Sequence, residues 1–277
     1  MTIGDVANSP NLTSDEVLAG WRSYQQNISL VGAGFGRDNY VASLSAAALY
    51  WGLACHAYES GPDTAQGLNE GAPLWAKGNA SADVRIQPII VDYFQSWASL
   101  GPHMGPLNYY TFGAGPLDDR YGIYSVLQDM AAFTTPKLAA IDAARSTPVA
   151  ISPLIPRVPG TLNASLFVGH PVPPTPDGFS GWPDAVDYLV YSAAPQRLTV
   201  TVTVGTDDVG LQNLTVALGG ATRNTQIVFC PSSGDWSKYS PCNATTPFDV
   251  PEGVAVFRVQ RGRLWVGELV FDAVTHL

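Results

Sequence analysis

Between residues 39 and 51 the positions Tyr40, Val41, Leu44, Ala47, Ala48 and Trp51 recur three to four residues apart. That spacing gathers apolar side chains on one face of a helix. Gly52 is a stop signal for it. The pattern then changes. Leu53-Ala54-Cys55-His56-Ala57-Tyr58 is mostly apolar and predicts a short parallel strand covered on both faces. Glu59 stands at the strand's mouth, and Ser60-Gly61-Pro62 breaks regular structure. Upstream, Ser14-Asp15-Glu16 opens a helix with two carboxylates in its first turn, and Val17, Leu18, Trp21 and Tyr24 give its apolar face. Residues 63–80 read as a Gly/Asn-rich loop. Residues 82–99 read as a strong helix carrying Val84, Ile86, Ile89, Ile90, Tyr93, Phe94 and Trp97. A turn at 101–106, an aromatic strand at 107–112 and a loop at 118–124 follow. Thr134-Thr135-Pro136 starts a last helix over 136–144.

From residue 182 the period drops to two. Leu198, Val200, Val202 and Val204 alternate with Thr199, Thr201 and Thr203, and 187–191 is a further strand. Runs at 214–218, 225–229, 254–259 and 263–272 are separated by Gly, Asp and Asn turns, which predicts a β-sandwich. Between the two regimes, 148–181 holds Pro148, Pro153, Pro156, Pro159, Pro171, Pro173, Pro174 and Pro176, the composition of a linker or edge-hugging segment. The expected organisation is therefore α/β over 1–147, a Pro-rich linker over 148–181 and all-β over 182–277. The first part holds about two strand–helix units, whereas a closed parallel barrel needs eight in about 250 residues.

Composition narrows the partners. The chain has 277 residues, of which 46% are hydrophobic and 13% charged, enough to bury a sizeable core. A net charge of -9 with no Lys/Arg run argues against nucleic acid and against an anionic membrane surface. No uninterrupted apolar run approaches the roughly 20 residues needed to span a bilayer.

The compartment is signalled by Asn-x-Ser/Thr sequons at Asn11, Asn27, Asn79, Asn163, Asn213 and Asn243, which take six of the eleven asparagines. Such a load points to a secreted or cell-surface glycoprotein. Cys230 and Cys242, with eleven residues of a Pro/Ser/Gly-rich stretch between them, are the expected disulfide, closing one surface loop. Cys55 is left over as a buried thiol. His56, His103, His170 and His276 are scattered, so no metal site is expected. Gly32-Ala33-Gly34-Phe35-Gly36 lacks the strand-then-helix context of a dinucleotide loop, so no cofactor is expected. Met1-Thr2-Ile3-Gly4-Asp5-Val6 has neither the basic nor the apolar region of a signal peptide. With the short count of barrel units, this leads us to expect a chain that is part of a longer one.

Several segments in order carry a resemblance: Tyr50-Trp51-Gly52-Leu53, Ala57-Tyr58-Glu59-Ser60-Gly61, Val91-Asp92-Tyr93-Phe94-Gln95-Ser96-Trp97, Asn108-Tyr109-Tyr110-Thr111-Phe112, Tyr121-Gly122-Ile123-Tyr124-Ser125-Val126-Leu127-Gln128-Asp129 and Thr135-Pro136-Lys137-Leu138-Ala139-Ala140-Ile141. Over residues 14–145 this resembles the C-terminal end of a glycoside-hydrolase-type (β/α)8 barrel. The resemblance implies that Glu59 is the catalytic nucleophile, with Tyr58, Tyr109, Tyr110 and Phe112 lining a sugar subsite. Many such barrels carry Gly-Gly after the Glu, where this chain has Ser60-Gly61. Their acid/base Glu lies on the fourth strand, which has no counterpart here, and retaining hydrolysis needs two carboxylates about 5–5.5 Å apart.

The second part, through Val186-Asp187-Tyr188, 198–204, Ser233-Gly234-Asp235-Trp236-Ser237-Lys238-Tyr239 and Pro251-Glu252-Gly253, resembles carbohydrate-binding-module-like jelly rolls of the galactose-binding type. That implies a carbohydrate partner held on Trp182, Trp236 and Tyr239. Three functions stay open: the C-terminal part of a secreted glycoside hydrolase, active only if further barrel strands supply the acid/base; a non-catalytic glycoprotein of an extracellular assembly, such as a cell wall, surface coat or flagellar hair, in contact with other chains; and a sugar-binding module.

Overall fold

A reciprocal capping box opens the first helix. Glu16 N–H donates to the Thr13 hydroxyl, and the Thr13 backbone N–H donates to the Glu16 carboxylate at 2.8 Å. These two bonds satisfy donors that the first turn leaves without intrahelical partners. The computed structural model describes residues 11–28, 40–61, 74–110, 112–113, 125–127, 131, 133–168, 185–207, 210–220, 223–261 and 264–274. They fall into two compact units. One comprises Met1–Gly32, His56–Ser99 and Gly105–Ala150, the other Ala33–Cys55, Leu100–Met104 and Ile151–Leu277.

The first unit is built on α1 (Ser14–Ile28), α3 (Leu74–Ala82), α4 (Ile86–Ala98) and α5 (Pro136–Ser146). Val17, Leu18 and Trp21 from α1 pack with Ala76, Ala80, Ile86, Ile89, Ile90 and Ala140 in one buried cluster. The α3 helix lies where the sequence predicts the second half of a loop. Gly78 and Asn79 are poor helix formers, but Ala76 and Ala80, one turn apart, are both fully buried, so packing overrides propensity. The helix predicted over 82–99 starts only at Ile86. The Asp83 carboxylate accepts from the backbone N–H and guanidinium of Arg85 and holds a turn ahead of it. Thr135 caps α5: its hydroxyl accepts from Leu138 N–H at 3.1 Å and donates to the Val126 carbonyl.

Strands β1 (Cys55–Ser60) and β2 (Met104–Tyr109) form a two-stranded sheet. Cys55 N–H donates to the His103 carbonyl and Tyr110 N–H to the Ser60 carbonyl, so the pairing advances in the same direction on both and the strands are parallel. The expected cover on both faces is not found. Leu53, Ala54, His56, Tyr58 and Glu59 are exposed, and only Cys55 and Ser60 of β1 are buried. Among the described residues this is the one parallel pair of the first unit besides an isolated bridge between Gly113 and Leu127, and no closed barrel is formed.

The second unit is a β-sandwich. One sheet has the order β3 (Arg157–Val158), β5 (Ala185–Ser192), β11 (Gly253–Arg261), β7 (Gln212–Leu218), β8 (Asn224–Cys230). The other has the order β10 (Phe248–Val250), β6 (Gln196–Thr206), β12 (Trp265–Ala273), β4 (Gly160–Asn163), with β9 (Asp235–Asn243) also on β6. Inward residues of both sheets share one core, including Val186, Tyr188, Val200, Val202, Val216, Val228, Leu269 and Phe271. Phe257 of β11 meets Phe248 and Phe271 of the facing sheet at ring distances of 5.4 and 4.9 Å.

Two parts of this unit come from segments the sequence assigns elsewhere. The Pro-rich stretch read as a linker contributes β3 and β4, and Val158, Leu162 and Ala164 enter the core. Pro156 and Pro159 flank these short strands at sheet edges, where a missing N–H is tolerated. The helix read at 39–51, α2 (Tyr40–Tyr50), belongs to the sandwich unit and lies against β5 and β11. Its C-terminal end closes on Gly219, where a Cβ would stand 2.6 Å from Tyr50 Cα. Beside it Arg258 donates to both carboxylate oxygens of Asp187 at 2.7 and 2.8 Å and stacks on the Tyr50 ring at 3.6 Å. The disulfide Cys230–Cys242 forms as expected, but it joins β8 of one sheet to β9 of the other within the core rather than closing a surface loop.

Candidate functional site

In the first unit Glu59 lies one residue before the C-terminal end of β1. Its side chain is exposed and has no hydrogen-bond or ion-pair partner among the described residues. Tyr58, the residue before it, is 84% exposed. Tyr110 and Phe112, beyond the end of β2, are also exposed. Tyr109 is different: its ring packs under Gly61 and against the helical core, and its hydroxyl is buried without a partner among the described residues. Burial pushes the Tyr109 phenol above its ordinary pKa. It is therefore a packing residue and not part of an open sugar subsite.

Sequence reasoning missed Lys137 in the same unit. It sits in the first turn of α5, is 1% exposed, and donates to the Ser125 carbonyl at 3.1 Å. Burial pushes its ammonium down to about 7. A lysine in a helical first turn reads as a surface charge, and nothing in its neighbours signals burial.

The second unit presents an aromatic surface. Alternation along β6 sends Leu198, Val200, Val202 and Val204 into the core and Thr199, Thr201 and Thr203 outward. On the same outer face Trp265 of β12 stands opposite Gly205. Its ring lies 6.2 Å from that of Trp236 at the start of β9. Tyr239 crosses the face over β12: a Cβ on Gly267 would come within 2.8 Å of its ring and 2.9 Å of the Thr203 hydroxyl oxygen. A Cβ on Gly205 would come within 2.5 Å of the Trp236 carbonyl oxygen. The two glycines thus leave the space into which the aromatic strand settles. Trp265 and Tyr239 keep 45% and 47% of their surface, and Trp236 is half-buried. At the platform's edge the Asp235 carboxylate accepts from the backbone N–H and hydroxyl of Ser237, which hold it below the usual carboxylate range.

The structure thus brings Trp236 and Tyr239 together and adds Trp265, whose partner across the sheet is not readable from its neighbours. Trp182 lies outside the described residues. Of the sequon asparagines, Asn11, Asn79, Asn163, Asn213 and Asn243 are exposed. The side chain of Asn27 lies outside the described residues. Among the described residues no group of three His, Cys, Asp or Glu side chains comes together as a metal site, and no helix is long and apolar enough to cross a membrane. Cys55 is a buried free thiol whose pKa burial raises.

No family model matches the chain, and no curated protein matches it. Among solved structures, it overlaps a family 6 carbohydrate-binding module from Clostridium stercorarium in complex with cellobiose, with 18% identity over 43% of this chain and 98% of that one, at a TM-score of 0.35. A β-1,3-glucan-binding module of the same family from Bacillus halodurans overlaps with 19% identity, 43% and 99% coverage and a TM-score of 0.32. A family 35 module from Cellvibrio japonicus overlaps with 15% identity, 42% and 95% coverage and a TM-score of 0.32. Overlaps this shallow decide neither ligand nor activity.

Proposed function

We propose that this chain is a non-catalytic carbohydrate-binding glycoprotein of the extracellular space, and that its β-sandwich holds saccharide on the platform of Trp236, Trp265 and Tyr239. The observation that carries this reading is the platform itself. The Trp236 and Trp265 rings stand 6.2 Å apart, the Tyr239 ring lies over Gly267, the Trp236 backbone closes on Gly205, and Trp265 and Tyr239 keep nearly half their surface open to solvent. Indole and phenol rings offer a broad apolar face to the C–H face of a sugar, with polar edges for its hydroxyls. Asp235, Lys238 and Glu268 supply charge in the same strands. The net charge of -9 suits a neutral sugar better than an acidic one.

The test is retention of the full chain on a panel of β-glucans, xylans and mannans, followed by calorimetry with the oligosaccharide that binds. Trp236→Ala and Trp265→Ala each weaken binding roughly 3- to 10-fold, from about 0.5–1.5 kcal/mol per lost stacking contact. Unchanged binding in both variants, with the sandwich intact by circular dichroism, would refute the reading.

A second reading rests on Glu59, an exposed carboxylate near the end of a strand that has a parallel partner. Under it the first unit is the C-terminal part of a larger barrel, and further strands supply the acid/base that hydrolysis requires. Glycosidase activity of the intact protein that vanishes in Glu59→Gln supports this second reading over the first.

A further inference from the structure

The sequon Asn213-Leu214-Thr215 lies in β7, and strand period two sends Asn213 and Thr215 outward while Leu214 enters the core. β8 pairs with β7 antiparallel, with Phe229 directly opposite Asn213 and Ile227 directly opposite Thr215. Directly opposed residues of an antiparallel pair share a face, with Cβ atoms about 4.5–5.5 Å apart. Phe229 and Ile227 are 58% and 57% exposed, an apolar pair on the outer face of an edge strand. Cys230, the next residue, is buried and disulfide-bonded, so the Phe229 backbone is held in place.

We propose that Asn213 carries an N-linked glycan whose first N-acetylglucosamine packs on the Phe229 ring, so that the chain's own sugar covers the Ile227–Phe229 patch. The opposition of ring and sequon asparagine is what selects this occupant. The other strand sequons lack it: Asn163 stands opposite Glu268 and Asn243 opposite Thr201. In the modification, Asn213 Nδ2 bonds to C1 of the sugar of a lipid-linked oligosaccharide diphosphate. The amide loses one proton. The C1–O bond of the donor breaks, and the lipid diphosphate leaves with that electron pair. Attachment occurs on the extended chain, and packing follows when β7 and β8 pair. The inference rests on the sequon reading of a secreted chain and is independent of the aromatic platform.

The test uses the full chain made in a eukaryotic secretory host, trimmed enzymatically to single N-acetylglucosamine stubs and mapped by mass spectrometry. Wild type, Asn213→Gln, Phe229→Ala and the double variant are then melted. The expected result is an occupied Asn213 and a fall of about 2–4 °C for Phe229→Ala only when the sugar is present, the shift that about 1 kcal/mol produces in a domain of this size. Phe229→Thr, which keeps strand propensity, serves if the alanine variant folds poorly. An unoccupied Asn213, or an equal shift with and without the sugar, overturns the proposal. So does a change from dimer to monomer on Phe229→Ala, which would make a second copy the patch's occupant.

Discussion

Replacing Lys137 with Met removes a buried titratable group while keeping an unbranched side chain of similar length. Burial holds the ammonium at about 7, against its ordinary value of 10.5. The folded state therefore binds fewer protons than the unfolded state between those values, and stability rises with pH across that window. At pH 8 the unfolded lysine is almost fully protonated and the folded one about nine-tenths neutral, which gives a slope of about 1.2 kcal/mol per pH unit. Three other shifted groups act outside the centre of this window. Burial lowers His103, whose stability gain with pH is centred below its ordinary value of 6.5 and fades above it, and raises Cys55 and Tyr109, which lower stability as pH climbs through their ordinary values of 9.0 and 10.0. All three are common to both proteins and cancel in the difference.

The assay is urea unfolding at pH 7.5, 8.0 and 8.5, followed by the helical signal in far-ultraviolet circular dichroism, which the first unit's four described helices dominate. Wild type gains about 1.2 kcal/mol per unit over Lys137→Met across this range. The variant also leaves the Ser125 carbonyl without this donor, a constant cost of about 1 kcal/mol that does not alter the slope. Equal slopes in the two proteins would refute the argument that Lys137 is buried and largely neutral.

Other outcomes follow from single contacts. Asp187→Ala leaves the partly buried Arg258 guanidinium without its bidentate partner and costs about 2–3 kcal/mol by chemical unfolding, whereas Asp187→Leu with Arg258→Met costs less. Replacing Cys230 and Cys242 together by Ala lowers stability by about 2–3 kcal/mol, and a reducing agent, which lowers the wild type, leaves the double variant unchanged. Thr135→Ala removes the α5 cap and its bond to Val126, for a loss of about 1–2 kcal/mol measured in the same way.

The elements legible in the sequence are those whose signal is local. The three-to-four spacing of 39–51 and the strict alternation of 198–204 each predict the element that forms. What α2 packs on is not local. Its Tyr50 ring finds Arg258 and its C-terminal end finds Gly219, both far along the chain, and no periodicity in α2 names them. The same holds for β1. Its apolar run predicts cover on both faces, yet cover is a property of neighbouring layers, and Tyr58 stands in the open. Trp236 and Tyr239 come forward only through the resemblance of 233–239 to jelly-roll sugar-binding modules, not through any local period. Trp265 joins them through the register of β12 against β6, which includes a bulge between Val266 and Leu269 that sequence alternation cannot place.

The outer face of the β6–β12 sheet ties the glycosylation and binding readings together. Thr203, beneath Tyr239, and Thr201, which donates to the Asn243 amide oxygen at 2.7 Å, are successive outward residues of β6. Outward residues two apart on a strand are separated by about 7 Å. A glycan on Asn243 would therefore start roughly one sugar's length from the Tyr239 ring. Trp265 stands opposite Gly205, four residues from Thr201, or about 13 Å along the strand. The face thus has a rim that a glycan on Asn243 would occupy and an end, at Trp236 and Trp265, that the first sugar of that glycan would not reach. External saccharide would bind at the tryptophan end, with Tyr239 between the two. If instead the Asn243 glycan extends over all three rings, Asn243→Gln would strengthen binding of external sugar, and Trp265→Ala would weaken it only in that background.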